Sequence, residues 1–172
     1  GPLFFTHYSF LGLDPRKLKD TYADYWEQNV NHSLINRAYC IANPLRYNGY
    51  GENNWGLTAC DGNNGYNAFS PENDRGVIAP TAALSSFPYT PEESMKALKN
   101  YYYVKGDRLW GPLGFYDAFN DHVGWVANSY LAIDQGPIIC MIENHRTGLL
   151  WNLFMSAPEI KEGLTKLGFS YE

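Results

Sequence analysis

Apolar and aromatic side chains recur every three or four residues between Leu18 and Ala42, the spacing of one face of an amphipathic helix. Asp14-Pro15 precedes this stretch, and Asp followed by Pro is typical of a helix N-cap and its first turn. Asn43-Pro44 ends the pattern, because a residue that precedes proline disfavours helical backbone. The sequence therefore predicts a long first helix.

Two helices with an early proline are predicted in the middle of the chain. One spans Ala79–Ser86 and begins at Pro80. The other follows Thr90 and runs to about Val104, where Gly106 supplies a stop. Thr90 and Glu93 have the spacing of a capping box, in which each side chain bonds the other residue's backbone amide.

Three further helical segments are predicted in the last third of the chain. They are Trp125–Leu131, the apolar stretch Gly136–Phe154 with a break near Thr147-Gly148, and Ser156–Leu167 before Gly168. The apolar stretch has no wide polar face, which is typical of a helix surrounded by other helices. No segment alternates as a strand does, so the predicted fold class is all-α.

Two long loops separate these helices. Residues Arg46–Arg75 and Asp107–Gly124 are rich in Gly, Asn and aromatic side chains, and they have no steady period. Loops this long inside a compact domain are uncommon and are often functional. We therefore look for ligand-binding residues there.

Composition narrows the class of ligand. Aromatic residues make up 16% of the chain, charged residues only 18%, and the formal net charge is -5. Without a cluster of Lys and Arg, the chain lacks the electrostatic signature of nucleic-acid binding. A neutral polar ligand such as a sugar suits this surface better.

The cysteines, the histidines and the length of the apolar runs argue against a disulfide-rich protein, a metal site and a membrane protein. Three cysteines are too few for a disulfide framework, although one pair is possible, and the four histidines lack metal-ligand spacing. No apolar run approaches the roughly 20 residues of a membrane helix. Residues Gly1–Phe5 lack the basic region of a signal peptide. We expect no metal, no organic cofactor and no membrane span.

Several segments, taken in order along nearly the whole chain, have a recognisable sequence. They are Pro2–Gly12 (PLFFTHYSFLG), Asn29–His32 (NVNH), Asn54–Gly62 (NWGLTACDG), Pro80–Ala83 (PTAA), Trp110-Gly111, Gly114–Phe119 (GFYDAF), Ile133–Ile138 (IDQGPI) and Glu143–Trp151 (ENHRTGLLW). Together these segments resemble the glucoamylase-like family, which includes the bacterial endo-β-1,2-glucanases of glycoside hydrolase family 144.

The resemblance implies an (α/α)6 barrel, of which residues 1–172 would be the C-terminal portion and about half. It further implies a periplasmic or secreted, inverting hydrolase of β-glucan, most specifically an endo-β-1,2-glucanase. The proton donor would belong to the N-terminal half of the barrel. Two alternatives remain open: a carbohydrate-binding helical module without catalysis, and a structural fragment that acts only when joined to its N-terminal half.

Asp134 is the leading candidate for the catalytic base. It lies just before Gly136-Pro137 and so near a predicted helix N-terminus, where the helix dipole favours an ionised carboxylate. The alternative is that Asp134 merely caps this helix, a common role for Asp.

Glu143 is a second carboxylate in the same apolar segment. Nine residues at about 1.5 Å per residue would place it roughly 13.5 Å from Asp134 along one helix. An inverting pair is separated by only about 6.5–9.5 Å. Glu143 is therefore expected to bind substrate or, more simply, to pair with Arg146.

The two long loops and the segment after them supply the remaining candidates for substrate binding. Sugar rings offer apolar faces for stacking and hydroxyl groups for hydrogen bonding, which aromatic and carboxylate side chains complement. The alternative is that the aromatics anchor the loops on the core and that Asp61 bonds turn amides. The candidates are Trp55, Asp61, Tyr66, Trp110, Phe115, Asp117 and Trp125.

Overall fold

The computed structural model describes residues 1–171, and most of its regular structure is helical. The helices are α1 (Phe4–His7), α2 (Tyr25–Ala42), α3 (Pro80–Leu84), α4 (Pro91–Lys99), α5 (Gly106–Leu109), α6 (Ala132–Thr147), α7 (Leu149–Ser156) and α8 (Pro158–Lys166). A π-helical turn, Asn100–Val104, continues α4, and 3-10 turns cover Tyr8–Phe10 and Pro71–Asn73.

Four antiparallel pairs of two-residue strands connect or brace the helices. The pairs are β1 (Leu18–Lys19) with β8 (Ser170–Tyr171), β2 (Ala59–Cys60) with β3 (Asn67–Ala68), β4 (Trp110–Gly111) with β5 (Gly114–Phe115), and β6 (Phe119–Asn120) with β7 (Trp125–Val126). The all-α prediction is confirmed, and the helices by themselves do not close into a barrel.

The long first helix begins later than the sequence pattern predicts. Asp24, not Asp14, is the N-cap, and its side chain accepts hydrogen bonds from the amides of Trp26 and Glu27. Asp14 instead bonds the amide and guanidinium of Arg16. The predicted end is correct, since Asn43 adopts left-handed backbone directly after α2. The apolar period before Tyr25 therefore belongs to packed turns and β1.

Residues Trp125–Leu131 are not helical, which corrects the prediction for this segment. Trp125 and Val126 pair with β6 through a tight connection that contains Gly124, at φ 68°. A short apolar run fits a strand as well as a helix, and here the pairing with β6 decides between them.

The other helix predictions hold with shifted ends. Pro91 starts α4, but Thr90 bonds the carbonyl of Ser86 and the hydroxyl of Ser94 instead of forming a capping box. Helix α6 begins four residues before Gly136 and contains Pro137. Gly148, at φ 69°, makes the predicted break between α6 and α7.

The main core surrounds the short helix α3, all five residues of which are buried. It contacts α4 and α6, and the loop before it approaches closely at Gly56. A Cβ at Gly56 would lie 2.7 Å from the Cβ of Ala82, and the φ of 129° there also favours glycine. This packing holds the first long loop against the start of α6.

Helices α6 and α7 also carry an apolar surface that faces solvent. The prediction that this segment is buried all round is therefore only partly correct. The exposed apolar side chains are Ile133, Ile139, Leu149, Leu153 and Phe154. Within residues 1–171, no helix is both long enough and apolar enough to cross a membrane.

Candidate active site

Asp134 lies in the first turn of α6 and is almost completely buried. Leu131 occupies the N-cap position, and no side chain caps this helix. The Asp134 carboxyl accepts a hydrogen bond from the hydroxyl of Tyr8, with 3.0 Å between Tyr8 Oη and Asp134 Oδ1. The predicted proximity to a helix N-terminus is correct, and the alternative role as a cap is wrong.

Two further carboxylates lie beside Asp134, one from each long loop. Asp61 follows β2, and Asp117 lies between β5 and β6. The backbone amide of Asp61 donates to Asp117 Oδ2 at 2.8 Å, and the hydroxyl of Ser129 donates to Asp61. We call Asp61, Asp117 and Asp134 the acidic centre.

The carboxyl groups of Asp117 and Asp134 adjoin each other, and each shifts the pKa of the other. Among the described residues, Asp117 Oδ1 and Asp134 Oδ2 are buried without a hydrogen-bond partner. Buried polar atoms are normally satisfied, so these two oxygens require an explanation, and a catalytic role is one. We call these two residues the acidic pair.

Burial and the neighbouring charge of Asp117 raise the pKa of Asp134 to about 8. Burial also raises the pKa of Asp117, although the hydrogen bond from the backbone amide of Asp61 acts to lower it. The structure therefore favours a protonated Asp134 over the carboxylate expected near a helix N-terminus, because burial and an adjacent like charge both raise its pKa.

Tyr8, Tyr66 and Cys60 complete the surroundings of the acidic centre. Burial and Asp134 raise the pKa of Tyr8 and, to a smaller extent, of the exposed Tyr66, so both hydroxyls stay protonated at neutral pH. Burial likewise raises the pKa of the Cys60 thiol. The centre thus joins three carboxyl groups to the hydroxyl donors Tyr8 and Ser129, with Tyr66 on the solvent side.

Two side chains that donate to backbone carbonyls fix the start of α6 in place. The hydroxyl of Thr81 donates to the carbonyl of Asp134 at 2.8 Å, which ties α6 to α3. The side-chain amide of Gln135 donates from Nε2 to the carbonyl of Phe115 at 3.0 Å, which ties α6 to the β4–β5 hairpin. These contacts bring the Asp117 loop to the helix that carries Asp134.

The structure corrects the roles of two predicted binding residues. Trp55 has no exposed surface and Phe115 is 4% exposed, so neither ring can stack on a sugar. Both pack in the core, where Tyr101 contacts the backbone of Trp55 and the ring of Phe115. The alternative, that these aromatics anchor the loops, is the correct one.

The other predicted binding residues contact groups outside the acidic pair. Trp110 is half exposed on the β4–β5 hairpin and packs edge-on against Tyr102. Trp125 is partly buried against the core in β7. Glu143 binds Arg146 at 3.1 Å, as the simpler prediction had it, and lies in the same continuous helix as Asp134, so the distance argument applies.

Sequence reasoning missed Tyr8, Cys60 and Ser129 as members of the site. Tyr8 and Cys60 lie inside the segments Pro2–Gly12 and Asn54–Gly62, which matched the family, so the match could have marked them. Ser129 carried no signal, because only tertiary packing brings it to Asp61.

Comparison with known proteins places this chain in a family. The family model described as "Putative glucoamylase" matches residues 1–158. The chain is 54% identical over 169 residues to an exo β-1,2-glucooligosaccharide sophorohydrolase (non-reducing end) from Parabacteroides distasonis. That alignment includes 97% of this chain and 23% of the relative.

Two solved structures are similar over almost the whole chain. A crystal structure of a "putative glucoamylase" from Bacteroides uniformis has a TM-score of 0.98 at 67% identity, covering 99% of this chain and 42% of that one. The endo-β-1,2-glucanase from Chitinophaga pinensis, in complex with sophorotriose and glucose, has a TM-score of 0.96 at 58% identity, covering 99% and 41%.

The chain therefore spans less than half the length of these relatives. Its fold, its order of matching segments and the family model over residues 1–158 agree with one another. The chain belongs to the glucoamylase-like family, described as "Putative glucoamylase".

Proposed function

We propose that this chain is part of a glycoside hydrolase that cleaves β-1,2-linked glucan, with Asp134 as a catalytic residue. The observation that carries the proposal is the buried acidic pair, Asp117 and Asp134, whose orphaned oxygens lie in segments that match the family. The similar sophorohydrolase and endo-β-1,2-glucanase support the substrate class.

The geometry of the acidic pair limits its chemistry. Two catalytic carboxylates that flank a glycosidic bond are about 5–5.5 Å apart in retaining enzymes and about 6.5–9.5 Å apart in inverting ones. The carboxyl groups of Asp117 and Asp134 adjoin each other instead of facing each other across a space for the substrate. They therefore form one side of the reaction, and the proton donor for the leaving oxygen lies elsewhere.

In this proposal Asp134 acts on the water side of an inverting hydrolysis. Water adds to the anomeric carbon, the bond to the leaving oxygen breaks, and the donor gives that oxygen a proton. The proton lost by the water passes to the acidic pair, directly or through a substrate hydroxyl. Tyr66, exposed beside Asp134, and Asp61 are the neighbours best placed to bind the sugar.

We also propose that the active protein is longer than these 172 residues, which would form the C-terminal portion of one (α/α)6 domain. The exposed apolar surface of α6 and α7 supports this, since an apolar surface of this kind is typical of a buried contact. The N-terminal half of the barrel would cover it and supply the proton donor. Because a glucan polymer does not cross membranes, the site of action would be periplasmic or extracellular.

The test is hydrolysis by the full-length protein of β-1,2-, β-1,3- and β-1,4-linked glucans, with Asp134→Asn as the matched variant. We expect release of oligosaccharides from the β-1,2-linked polymer and its loss in Asp134→Asn. Equal activity of the two proteins would refute the role of Asp134. Binding of the polymer by both proteins without hydrolysis would instead support a carbohydrate-binding module.

Product analysis decides between two modes of attack. We propose endo action, for which a mixture of chain lengths should appear early in the reaction. Release of sophorose alone would support exo action, which the similarity to the sophorohydrolase favours as the second candidate.

A further inference from the structure

One carboxylate oxygen of each member of the acidic pair has a hydrogen-bond donor, and the other oxygen of each has none. Asp134 Oδ1 accepts from Tyr8, and Asp117 Oδ2 accepts from the amide of Asp61. The remaining oxygens, Asp117 Oδ1 and Asp134 Oδ2, are buried and have no hydrogen-bond partner, although the two carboxyl groups adjoin each other. Two ionised carboxylates cannot bond to each other, because neither carries a hydrogen, whereas one proton between them would give both groups a partner.

We propose that Asp117 and Asp134 share a single proton and act as one acidic unit, in which Asp117 is the positioning residue for Asp134. The sharing of the proton rests on this geometry alone, and its role in hydrolysis rests on the function proposed above.

Within residues 1–171, no cation is among the groups that most strongly shift the pKa of Asp117 or Asp134. The titratable groups with the largest influence on Asp134 are Asp117, Tyr8 and Asp61. Asp134 in turn influences Tyr66 and Cys60 from the side of the first long loop. All of these groups are neutral or acidic, so a second negative charge on the pair would be buried without compensation.

The surroundings also indicate which member holds the proton. The amide of Asp61, and more weakly that of Leu131, stabilise a negative charge on Asp117. Asp134 receives only the Tyr8 hydroxyl, and the charge of Asp117 further disfavours its ionisation. The resting state is therefore protonated Asp134 beside ionised Asp117.

Such a pair reconciles a protonated Asp134 with a role on the water side. When a proton arrives at Asp134 from water or from a substrate hydroxyl, the proton that Asp134 already holds moves to Asp117. Asp117 thereby becomes neutral, and the pair gains one proton overall. After the reaction one proton returns to solvent, and the resting state is restored.

Infrared difference spectroscopy of the full-length protein tests the shared proton without relying on activity. The spectrum of the parent minus that of Asp134→Asn isolates the Asp134 carboxyl. At neutral pH we expect the carbonyl band of a protonated acid, which should disappear as the pH is raised through about 8. A carboxylate band at neutral pH would overturn the proposal.

Asp117→Asn and Asp61→Asn form a matched pair of variants within the acidic centre. Asp117→Asn should lower the titration midpoint of Asp134 by about one pH unit or more, because it removes the adjacent like charge. Asp61→Asn should lower it less, since Asp61 does not bond Asp134. An unchanged midpoint in Asp117→Asn, or equal shifts in both variants, would contradict the proposal.

If Asp117→Asn does not fold, the spectrum of the parent against Asp134→Asn still decides the matter. The two proposals fail separately. A protonated Asp134 in a protein that hydrolyses no β-1,2-glucan leaves the shared proton standing and removes the proposed function. Hydrolysis with an ionised Asp134 does the reverse.

Discussion

Two buried clusters in this molecule are built around aspartate and differ in their donors. Asp74 accepts from the hydroxyl of Tyr50 at 2.7 Å, from the amide of Gly76 at 2.9 Å and from the hydroxyl of Tyr39 at 3.0 Å. Both of its oxygens are satisfied. In the acidic pair, one oxygen of each residue has no hydrogen-bond partner.

We propose that this difference separates a structural carboxylate from a catalytic one. The donors around Asp74 hold α2 and the following loop together, and they leave neither carboxylate oxygen free to bind a ligand. The acidic pair has the opposite property, since its unsatisfied oxygens remain free to bind a proton. Burial alone does not distinguish the two clusters, because Asp74, Asp117 and Asp134 are all at most 5% exposed.

The largest difference should appear in catalysis. Asp134→Asn in the full-length protein should lower kcat/KM for β-1,2-glucan by about 10²–10⁴-fold, the usual contribution of general acid–base catalysis. Asp74→Asn should leave kcat/KM of the folded enzyme within about twofold, because Asp74 lies in the structural cluster. Steady-state kinetics normalised to folded protein measures both, and similar losses in the two variants would remove the distinction.

The effects of these two substitutions on stability should have the reverse order, with Asp74→Asn the more damaging. Asp74→Asn replaces an acceptor oxygen with an NH2 group that faces a donor, and we expect a loss of about 1–3 kcal/mol in the free energy of unfolding. Urea denaturation at neutral pH measures this loss. Asp134→Asn, which removes a group that is neutral in the resting state, should lose less; a larger loss in Asp134→Asn would show that its cluster is structural too.

The pH dependence of stability should also differ between parent and Asp134→Asn. The folded protein holds a proton on Asp134 up to about pH 8, whereas the unfolded chain releases it near pH 4. Between these values the folded state binds more protons, so Asp134 makes the parent less stable as pH rises. Denaturation at intervals across this range should show Asp134→Asn gaining stability relative to the parent, and parallel curves would argue against the raised pKa.

A smaller effect is expected at the solvent side of the acidic centre. Tyr66→Ala should raise KM for β-1,2-glucan roughly two- to tenfold, because an exposed aromatic face contributes about 0.5–1.5 kcal/mol to stacking. Tyr22→Ala, at another exposed tyrosine, is the matched control and should leave KM unchanged. An equal change in both variants, or none in Tyr66→Ala, would place the sugar elsewhere.

The smallest effect should come from the donor to Asp134. Tyr8→Phe removes the hydrogen bond that lowers the pKa of Asp134, so the infrared midpoint of Asp134 should rise by less than about one pH unit. The corresponding change at the other cluster, Tyr50→Phe, should leave this midpoint in place. A fall in the midpoint in Tyr8→Phe would mean that Tyr8 does not donate to Asp134.

Local patterns predicted most of the helices but not their starts. The start of α2 was misplaced because the period of three or four residues continues before it, through turns that pack without being helical. The segment Trp125–Leu131 was wrong for a related reason, since its apolar residues pair with β6 across a turn. Period and propensity report on neighbours in sequence, whereas strand pairing depends on distant residues.

The candidate site likewise has a part that the sequence predicted and a part that it did not. The sequence identified Asp61, Asp117 and Asp134 separately, from two loops and a helix N-terminus. It placed Trp55 and Phe115 with them, because an aromatic residue in a glycine-rich loop has the same sequence signature whether it faces solvent or the core. Burial decides between these, and burial is a property of the packed molecule.

The sequence by itself determined the fold class, the family and the position of Asp134 near a helix N-terminus, since these follow from periodicity and matching segments. Only the tertiary structure decided that Tyr8, 126 residues away, donates to Asp134 and that Asp61 bonds Asp117 across 56 residues. It also reversed the expected ionisation of Asp134. The position of Asp134 near a helix N-terminus can be predicted from neighbouring residues in the sequence. Desolvation and the charge of Asp117, which raise the pKa of Asp134, arise only when the loops pack on α6.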